Sequence, residues 1–147
     1  MTELNQRPIW LNNFISNYQQ LSTDNLYLLD KIYDSNIEFH DATSSINGLA
    51  DLQDYFNDLY TNISSCQFDI TGAIFQENQA AIYWNMTFVH KSLNSGKPIS
   101  IEGNSLIKGS SNKVYYHKDY LDMGAMVYEH IPLIGRLIRT IKSRMGH

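Results

Sequence analysis

Residues 49–63 read LADLQDYFNDLYTNI, and the apolar positions in this stretch recur at alternating intervals of three and four. Such intervals place side chains on one face of an α-helix. The apolar face consists of Leu49, Leu52, Phe56, Leu59 and Ile63. The opposite face consists of Asp51, Gln53, Asp54, Asn57 and Asp58. The stretch therefore predicts a long amphipathic helix that needs an apolar surface to cover one of its faces.

The sequence after this helix has the pattern of a β-meander. From residue 67 onward, aromatic and β-branched residues dominate, and short polar turns interrupt them. Long strands joined by short turns pair in antiparallel order. Gly72 and Gly103, which lie inside two of the strands, predict bulges or bends. The predicted strands are residues 68–75, 81–91, 99–108 and 114–123.

The sequence before the long helix predicts two helices and a short strand. Residues 9–21 and 26–33 have apolar side chains at helical spacing. Residues 37–41 alternate at period two, and a turn at Asn47-Gly48 follows. This order of elements indicates an α+β fold. We expect a curved antiparallel sheet wrapped around the long helix as a cone, whose open end forms a pocket.

The bulk composition limits the partners and the compartment. The 147 residues are 43% hydrophobic and 18% charged, which fits one domain over residues 1–147 with a helical C-terminal extension at 125–147. The formal net charge of −4 argues against a nucleic-acid partner. Cys66 is the single cysteine and the N-terminal region lacks the apolar run of a signal peptide, so we expect a cytoplasmic protein. No spacing of His, Asp and Glu is typical of a metal site, and we expect no cofactor.

The densest polar cluster lies on the last predicted strand, where residues 115–122 read YYHKDYLD. Because side chains alternate across a strand, we expect Tyr115, His117 and Asp119 on one face. His117 and Asp119 would then stand roughly 7 Å apart at their backbones and could act on one small ligand. A partly desolvated carboxylate suits a general base, and the imidazole could orient a ligand or donate a proton. The alternative is a solvated strand end in which the two side chains pair without a catalytic role.

Two short motifs resemble a known family. Residues 113–122, KVYYHKDYLD, look like the closing strand of SnoaL-like proteins, which commonly reads G-K-I-x-x-H-x-D-x-x-D. Residues 39–42, FHDA, resemble their F-x-D-P turn. The resemblance implies the cone-shaped fold of the nuclear-transport-factor-like superfamily. In the SnoaL-like polyketide cyclases the aspartate of H-x-D is the proposed acid/base, and by resemblance this role falls on Asp119 with His117 beside it. Lys118 stands where these proteins usually have tryptophan.

The ketosteroid isomerases, a second branch of this superfamily, imply a different site. Their base is the aspartate of the F-x-D-P-like turn, and their oxyanion-hole tyrosine lies on the first helix. By position these roles would fall on Asp41 and Tyr18. Their other oxyanion donor is a neutral carboxylic acid, which the matching residues 103–105 lack. A complete site of this kind is therefore not expected, and Asp41 could equally stabilise its turn.

Further ligand-binding candidates are Tyr115, His40 and Asn85. His40 could line the pocket, although a histidine near a strand end is more often a surface residue. Asn85, on the second long strand, could hydrogen-bond a ligand or face solvent. The chain also has ten Tyr, six Phe and two Trp. Most of these belong in the core, and the excess of tyrosine is compatible with a pocket for a flat or apolar ligand that needs a few hydroxyl contacts.

The C-terminal residues have a basic amphipathic pattern, in which Pro132 can start a helix. The helix could lie on an anionic membrane surface. It could also pack across the sheet or against a dimer partner, and we favour this packing because a short helix with four charges binds lipid weakly by itself. The apolar stripe is Ile134, Leu137, Ile138, Ile141 and Met145. The basic residues are Arg136, Arg139, Lys142 and Arg144.

Two functions from different classes fit these patterns. The first is a cofactor-free enzyme that performs acid/base chemistry (isomerisation, cyclisation or hydration) on a small apolar molecule, with Asp119 as base and His117 or Tyr18 as donor. The second is a non-catalytic module that uses the same cone to bind a ligand or to dimerise. We expect a homodimer in either case. The fold alone does not choose between the two functions.

Overall fold

Helices and strands follow one another in the predicted α+β order. A computed structural model describes residues 6–127 and 134–146. The helices are α1 (Ile9–Tyr18), α2 (Leu29–Ile32), α3 (Leu49–Tyr60), α4 (Met123–Met126) and α5 (Ile134–Met145), with 3₁₀ turns at Leu26–Leu28 and Asn94–Gly96. The strands are β1 (Tyr33–His40), β2 (Ser45–Asn47), β3 (Ile63–Gln76), β4 (Gln79–His90), β5 (Ile99–Ser110) and β6 (Lys113–Leu121).

The six strands form one curved, unclosed sheet in the order β2-β1-β6-β5-β4-β3. The predicted four-strand meander is confirmed, since β3, β4, β5 and β6 pair as successive antiparallel neighbours. β1 pairs in parallel with β6, on the side of β6 opposite β5. This register places Phe39 beside His117. The first strand and the last strand of the chain are therefore neighbours inside the sheet, next to the edge strand β2.

Helix α3 covers the concave side of the sheet next to β1, β2 and β3. Leu52 and Phe56 from the predicted apolar stripe are buried, and so is Tyr60, which the stripe does not include. Leu59, which belongs to the stripe, is exposed. Helix α1 lies beside α2 and crosses β5 and β6. Along β4 every second side chain from Ala80 to Phe88 is buried against these helices, and the residues between them face outward. One face of the sheet therefore forms the core.

Several element boundaries differ from the predicted ones. The second helix is split into a 3₁₀ turn and the short α2, and it ends at Ile32 because Tyr33 pairs with Val114 at the start of β1. Ile63, the last residue of the predicted helical stripe, begins β3 and pairs with His90. Strand β2 is not among the predicted strands, because its three residues have no strand pattern of their own. It forms by pairing with β1. Pairing with distant segments decides each of these boundaries.

The predicted alternation on β6 is wrong at Tyr115, because the strand has a bulge there. Val114 pairs with Gly109 and Tyr116 pairs with Lys108, so Tyr115 has no partner across the strand pair. Val114 and His117 are both buried, although they are three residues apart. Tyr115 therefore does not share the face of His117 and Asp119. An inserted residue shifts the phase of a strand by one position, which strict period-two alternation does not include.

The two glycines inside strands have different roles. Gly72 follows a register shift between β3 and β4, as predicted for a bulge. Gly103 continues a regular ladder with Trp84 and Leu121 on its two sides. A Cβ at Gly103 would lie 2.3 Å from Cη2 of Trp84, so the glycine leaves the space that the indole ring occupies.

We expect Gly103→Ala to lower the free energy of unfolding by about 1–3 kcal/mol, the usual cost of overpacking a core. The indole cannot swing away cheaply, because Trp84 is buried and its Nε1 is hydrogen-bonded to Ser105. Gly72→Ala is the matched control, since a Cβ there meets no atom within 4 Å. Chemical denaturation of both variants measures the difference, and equal stabilities would contradict the close packing at Trp84.

Helix α5 confirms the predicted C-terminal helix, and Pro132 lies outside the described residues. Leu137, Ile141 and Met145 are exposed, so this part of the apolar stripe does not pack across the sheet of its own chain. Lys142 contacts the body of the domain, where its Nζ lies 3.0 Å from Oδ2 of Asp122. No helix among the described residues is both long and apolar enough to span a membrane.

Candidate functional site

An apolar cavity of about 110 Å³ opens between the concave side of the sheet, α3, the loop after β1 and α4. Most of its walls are aromatic or aliphatic. Its polar lining groups are Tyr18, Asp41, Thr43, Tyr55, Tyr60, Cys66 and Asp119. The remaining lining residues are Phe39, Ala42, Phe56, Leu59, Ile63, Phe68, Trp84, Met86, Phe88, Leu121, Met123 and Met126. None of these described lining residues is basic.

The carboxylate of Asp119 is the central polar group of this cavity. Its Oδ1 accepts a hydrogen bond of 2.5 Å from Oγ of Ser105 and lies 2.6 Å from Nε2 of His117. Ser105 in turn accepts a 2.9 Å bond from Nε1 of Trp84. The side chain is 13% exposed, and no described residue donates to Oδ2. One oxygen is therefore fixed by the protein, and the other is left for the cavity.

His117 lies beneath Asp119 and is completely buried. Its ring is surrounded by those of Phe14, Tyr18, Tyr33 and Phe39, with centroid distances between 4.8 and 5.9 Å. It does not line the cavity. The expectation that the imidazole touches a ligand is therefore wrong for this structure, because α1 and β1 seal the ring from the pocket. His117 is therefore connected to the cavity only through its contact with Asp119.

A chain of hydrogen bonds fixes the tautomer of His117. The hydroxyl of Tyr33 lies 2.6 Å from Nδ1 of His117. Burial, followed by the charge of Asp119, raises the pKa of Tyr33 well above its ordinary value, so the hydroxyl keeps its proton. When the imidazole is neutral, this hydroxyl donates to Nδ1, and the ring proton on Nε2 is donated to Asp119. This chain of contacts orients the carboxylate of Asp119.

Tyr18 brings a second functional group to the cavity. Its ring, on the last turn of α1, stacks on Phe14 at 4.8 Å and lies against Phe68. The hydroxyl has no hydrogen-bond partner among the described residues. It is not fully buried, and Tyr18 lines the cavity, so we infer that the hydroxyl is accessible from the cavity. Burial is the largest cause of a pKa well above the ordinary tyrosine value. Tyr18 is therefore a neutral hydrogen-bond donor at physiological pH.

Asp41 lies at the rim of the cavity, but its carboxylate is already occupied. Oδ1 accepts bonds from the backbone N–H groups of Thr43 and Ser44, at 2.9 and 2.8 Å, and from the Thr43 hydroxyl. Oδ2 accepts a short hydrogen bond from the hydroxyl of Tyr55. These contacts fit the turn-stabilising interpretation of Asp41 better than a role as base. Burial, ahead of the bond to Asp41, raises the pKa of Tyr55.

Tyr60 and Cys66 form a polar pair on the wall of the cavity. The Tyr60 hydroxyl donates to Sγ of Cys66 over 3.7 Å. Burial raises the pKa of both groups, that of Tyr60 strongly. The thiol is therefore protonated at neutral pH and is not an activated nucleophile.

Three predicted ligand-binding residues lie away from the cavity. Asn85 belongs to the outward-facing set on β4, because Trp84 and Met86 on either side of it point inward. Tyr115 sits at the bulge, and its hydroxyl accepts a 2.9 Å bond from Asn78. His40 faces the opposite side of β1 from Phe39 and lies 2.7 Å from Oε2 of Glu38. The structure brings together only Asp119, Tyr18 and Asp41 from the predicted set, with His117 behind them.

Sequence reasoning missed two residues that position Asp119. Tyr33 was part of a predicted helix, and only the parallel pairing of β1 with β6 places it beneath His117. Ser105 lies directly across the ladder from Asp119. The signal for Ser105 is its location on the strand preceding β6, but choosing the right partner requires the register of the two strands. Among the described residues, no group of three or more His, Cys, Asp or Glu could hold a metal ion.

Comparison with solved structures finds this fold in several bacterial proteins. A protein from Catenulispora acidiphila with a ketosteroid isomerase-like fold, solved in complex with trimethylamine, has a TM-score of 0.71 at 12% identity, over 85% of this chain and 93% of that one. A candidate SnoaL-like polyketide cyclase from Jannaschia sp. CCS1 has a TM-score of 0.67 at 10% identity, over 82% and 92% of the two chains. AclR, a candidate hydroxylase from Streptomyces galilaeus, has a TM-score of 0.64 at 13% identity, over 94% and 95%. At these identities the likeness concerns the fold.

Sequence comparison gives the family. No curated protein matches the chain. The family model described as a SnoaL-like domain matches residues 16–117, which is more than half of the sequence. The match includes α3, β3 to β5 and the histidine of the H-x-D motif, and it ends two residues before Asp119. The chain therefore has the fold of the nuclear-transport-factor-2-like proteins and belongs to the SnoaL-like family.

Proposed function

We propose that this protein binds a small, largely apolar molecule in the cavity and moves a proton on it, with Asp119 as the base and Tyr18 as the hydrogen-bond donor. The observation that carries this proposal is the state of the Asp119 carboxylate. Its Oδ1 is fixed by Ser105 and His117, and its Oδ2 is free of donors from the described residues in an apolar cavity. A base that is positioned and partly desolvated is suited to proton abstraction.

The geometry supports a ligand with one polar oxygen and no negative charge. The described lining contains carboxylates and no basic side chain, so an anion would meet repulsion without a counter-charge. A carbonyl oxygen could accept from Tyr18 while Oδ2 of Asp119 takes a proton from the neighbouring carbon. The negative charge that develops on the oxygen is then held by the tyrosine hydroxyl, and Asp119 returns the proton to the same or another carbon. Isomerisation uses this sequence of steps. In a cyclisation the enolate carbon would instead attack a second carbonyl of the same ligand, and Asp119 would give the proton to the oxygen of that carbonyl.

The cavity is small for a ligand site, since such sites usually enclose about 300–1,000 Å³. At about 110 Å³ it suits a ligand of a few heavy atoms. Met123, Met126 and Leu59 line the outer part, and Leu59 is 40% exposed. Because methionine side chains adapt their shape easily, movement at α4 would admit a larger ligand.

Exchange of carbon-bound protons tests the proposal. We expect the protein in D₂O at pH 7 to accelerate deuterium incorporation beside the carbonyl of cyclohexanone by at least about 100-fold over buffer, as measured by NMR. Trimethylamine is the molecule held by the Catenulispora protein and is cationic at this pH. It should slow the exchange, because aromatic rings and a carboxylate attract an organic cation. Acetate at the same concentration should not slow it.

The possible outcomes separate the two functions of this fold. Exchange that trimethylamine inhibits and acetate does not inhibit supports the proposal. Binding of cyclohexanone, detected by saturation transfer, without any exchange would instead indicate a non-catalytic binding protein. If cyclohexanone shows no binding and no exchange, the proposed ligand class is wrong.

A further inference from the structure

Helix α5 presents an apolar strip to solvent. Leu137, Ile141 and Met145 are spaced four residues apart and therefore lie along one face. They are 61%, 49% and 80% exposed, which is unusual for three large apolar side chains on one helix. Ile138, beside this strip, is half-buried, and Gly135 is buried. The helix therefore touches the domain along its flank and leaves its apolar strip uncovered by the described residues.

The charge of α5 has one sign. The helix contains Arg136, Arg139, Lys142 and Arg144 and has no acidic residue. All four basic side chains are exposed. Lys142 lies against Asp122. Helical spacing places Arg144, three residues after Ile141, beside the apolar strip. An apolar strip bordered by arginine is the pattern of a helix that lies in the plane of a membrane interface.

Area favours a lipid surface over a second copy of the chain as the occupant, and the charge of the helix complements an anionic surface. Anionic lipids complement clustered arginine and accept the apolar side chains at the boundary of the acyl region. A stable protein interface buries about 800 Å² on each partner. Three side chains along a helix of 12 residues form a strip much narrower than such an interface.

The position of α5 connects this surface with the cavity. The bond from Lys142 to Asp122 holds the helix beside the start of α4, because the Asp122 side chain also caps α4 by accepting from the N–H of Ala125. The next residue, Met123, lines the cavity, as does Met126. We propose that α5 binds the surface of membranes containing anionic lipids and thereby holds the mouth of the cavity beside the bilayer. A small apolar ligand could then pass between lipid and cavity with little exposure to water.

Vesicle co-sedimentation of the full chain tests this inference. We expect at least about tenfold tighter binding to vesicles of phosphatidylcholine with 30% phosphatidylglycerol than to vesicles of phosphatidylcholine alone. Raising the salt from 0.1 to 0.5 M should weaken the binding to anionic vesicles about fivefold or more, because salt screens the arginines. Equal binding to both vesicle types, or no binding to either, would overturn the proposal.

Matched variants locate the surface. Leu137→Gln with Ile141→Gln should lower anionic-vesicle binding at least about fivefold, and Arg136→Gln with Arg144→Gln should do the same. Ile74→Gln, at a residue that is 67% exposed on β3, is the apolar control, and Lys97→Gln is the charge control. Both controls should bind as the wild type does. Losses of the same size in the controls would overturn the assignment to α5.

Sedimentation velocity without lipid tests whether a second copy of the chain occupies the apolar strip instead. A dimer that the Leu137 and Ile141 substitutions dissociate would show that a second copy covers the strip, and this would overturn the membrane proposal. The membrane proposal is supported if the variant keeps the wild-type sedimentation coefficient and loses vesicle binding. The proton-exchange assay needs no vesicles, so its outcome and this one are independent.

Discussion

Asparagine in place of Asp119 is expected to lower the rate of proton exchange by about 100-fold to 10,000-fold, the range that general acid/base groups contribute. The amide has nearly the shape of the carboxylate, and its oxygen can still accept from Ser105 and from His117. Its –NH₂ group cannot take a proton from a ligand. The affinity for cyclohexanone should therefore change little while exchange is lost.

The matched control for this substitution is Asp69→Asn. Asp69 is exposed on the outward-facing side of β3, so the same change of charge is made far from the cavity. Its exchange rate should equal that of the wild type within about twofold. If Asp119→Asn retains full exchange activity, Asp119 is not the base and the proposed chemistry is wrong.

Leucine in place of His117 is expected to lower the free energy of unfolding by about 2–4 kcal/mol, as measured by chemical denaturation. Leucine fits the aromatic surroundings, but it removes the partner of the buried Tyr33 hydroxyl and one of the two donors to Asp119. An unpaired buried hydroxyl costs about 1–3 kcal/mol, and a hydrogen bond to a charged group contributes about 1.5–3 kcal/mol. The two costs overlap, so their sum is an upper bound.

His40→Leu is the control for this prediction. His40 also contacts two polar side chains, Ser45 and Glu38, but these contacts are at the surface. The change should stay within about 0.5 kcal/mol. Equal losses in the two variants would contradict the inferred chain of hydrogen bonds from Tyr33 to Asp119.

The fold could be predicted from the sequence where the decisive pattern is local. The stripe of α3 and the alternating segments of the meander depend on periodicity within one element, and both are present in the structure. The relative placement of His117 and Asp119 also follows from local alternation, because no bulge lies between them. These features need no knowledge of distant residues.

The candidate site could be predicted only in part, since its remaining geometry depends on long-range pairing. His117 is buried because α1 and β1 pack against its ring. The sequence around residue 117 contains no pattern that predicts either contact. The shift at Tyr115 similarly results from how β5 and β6 align. The turn of Asp41 was open to two interpretations because the same aspartate can cap a turn or face a ligand.

The parallel pairing of β1 with β6 constrains how the molecule forms. Tyr33 and His117 are separated by 84 positions along the chain, and a loop of that length must close before they meet. The hairpins of the meander and the local pair of β1 with β2 have low contact order and can form early. The pairing of β1 with β6 needs the last strand of the sheet to be in place. Until then the aromatic side chains of Phe14, Tyr33 and Phe39 lack their shared central partner. Pairing of β1 with β6 is therefore the step that both completes the core and brings Tyr33 to His117.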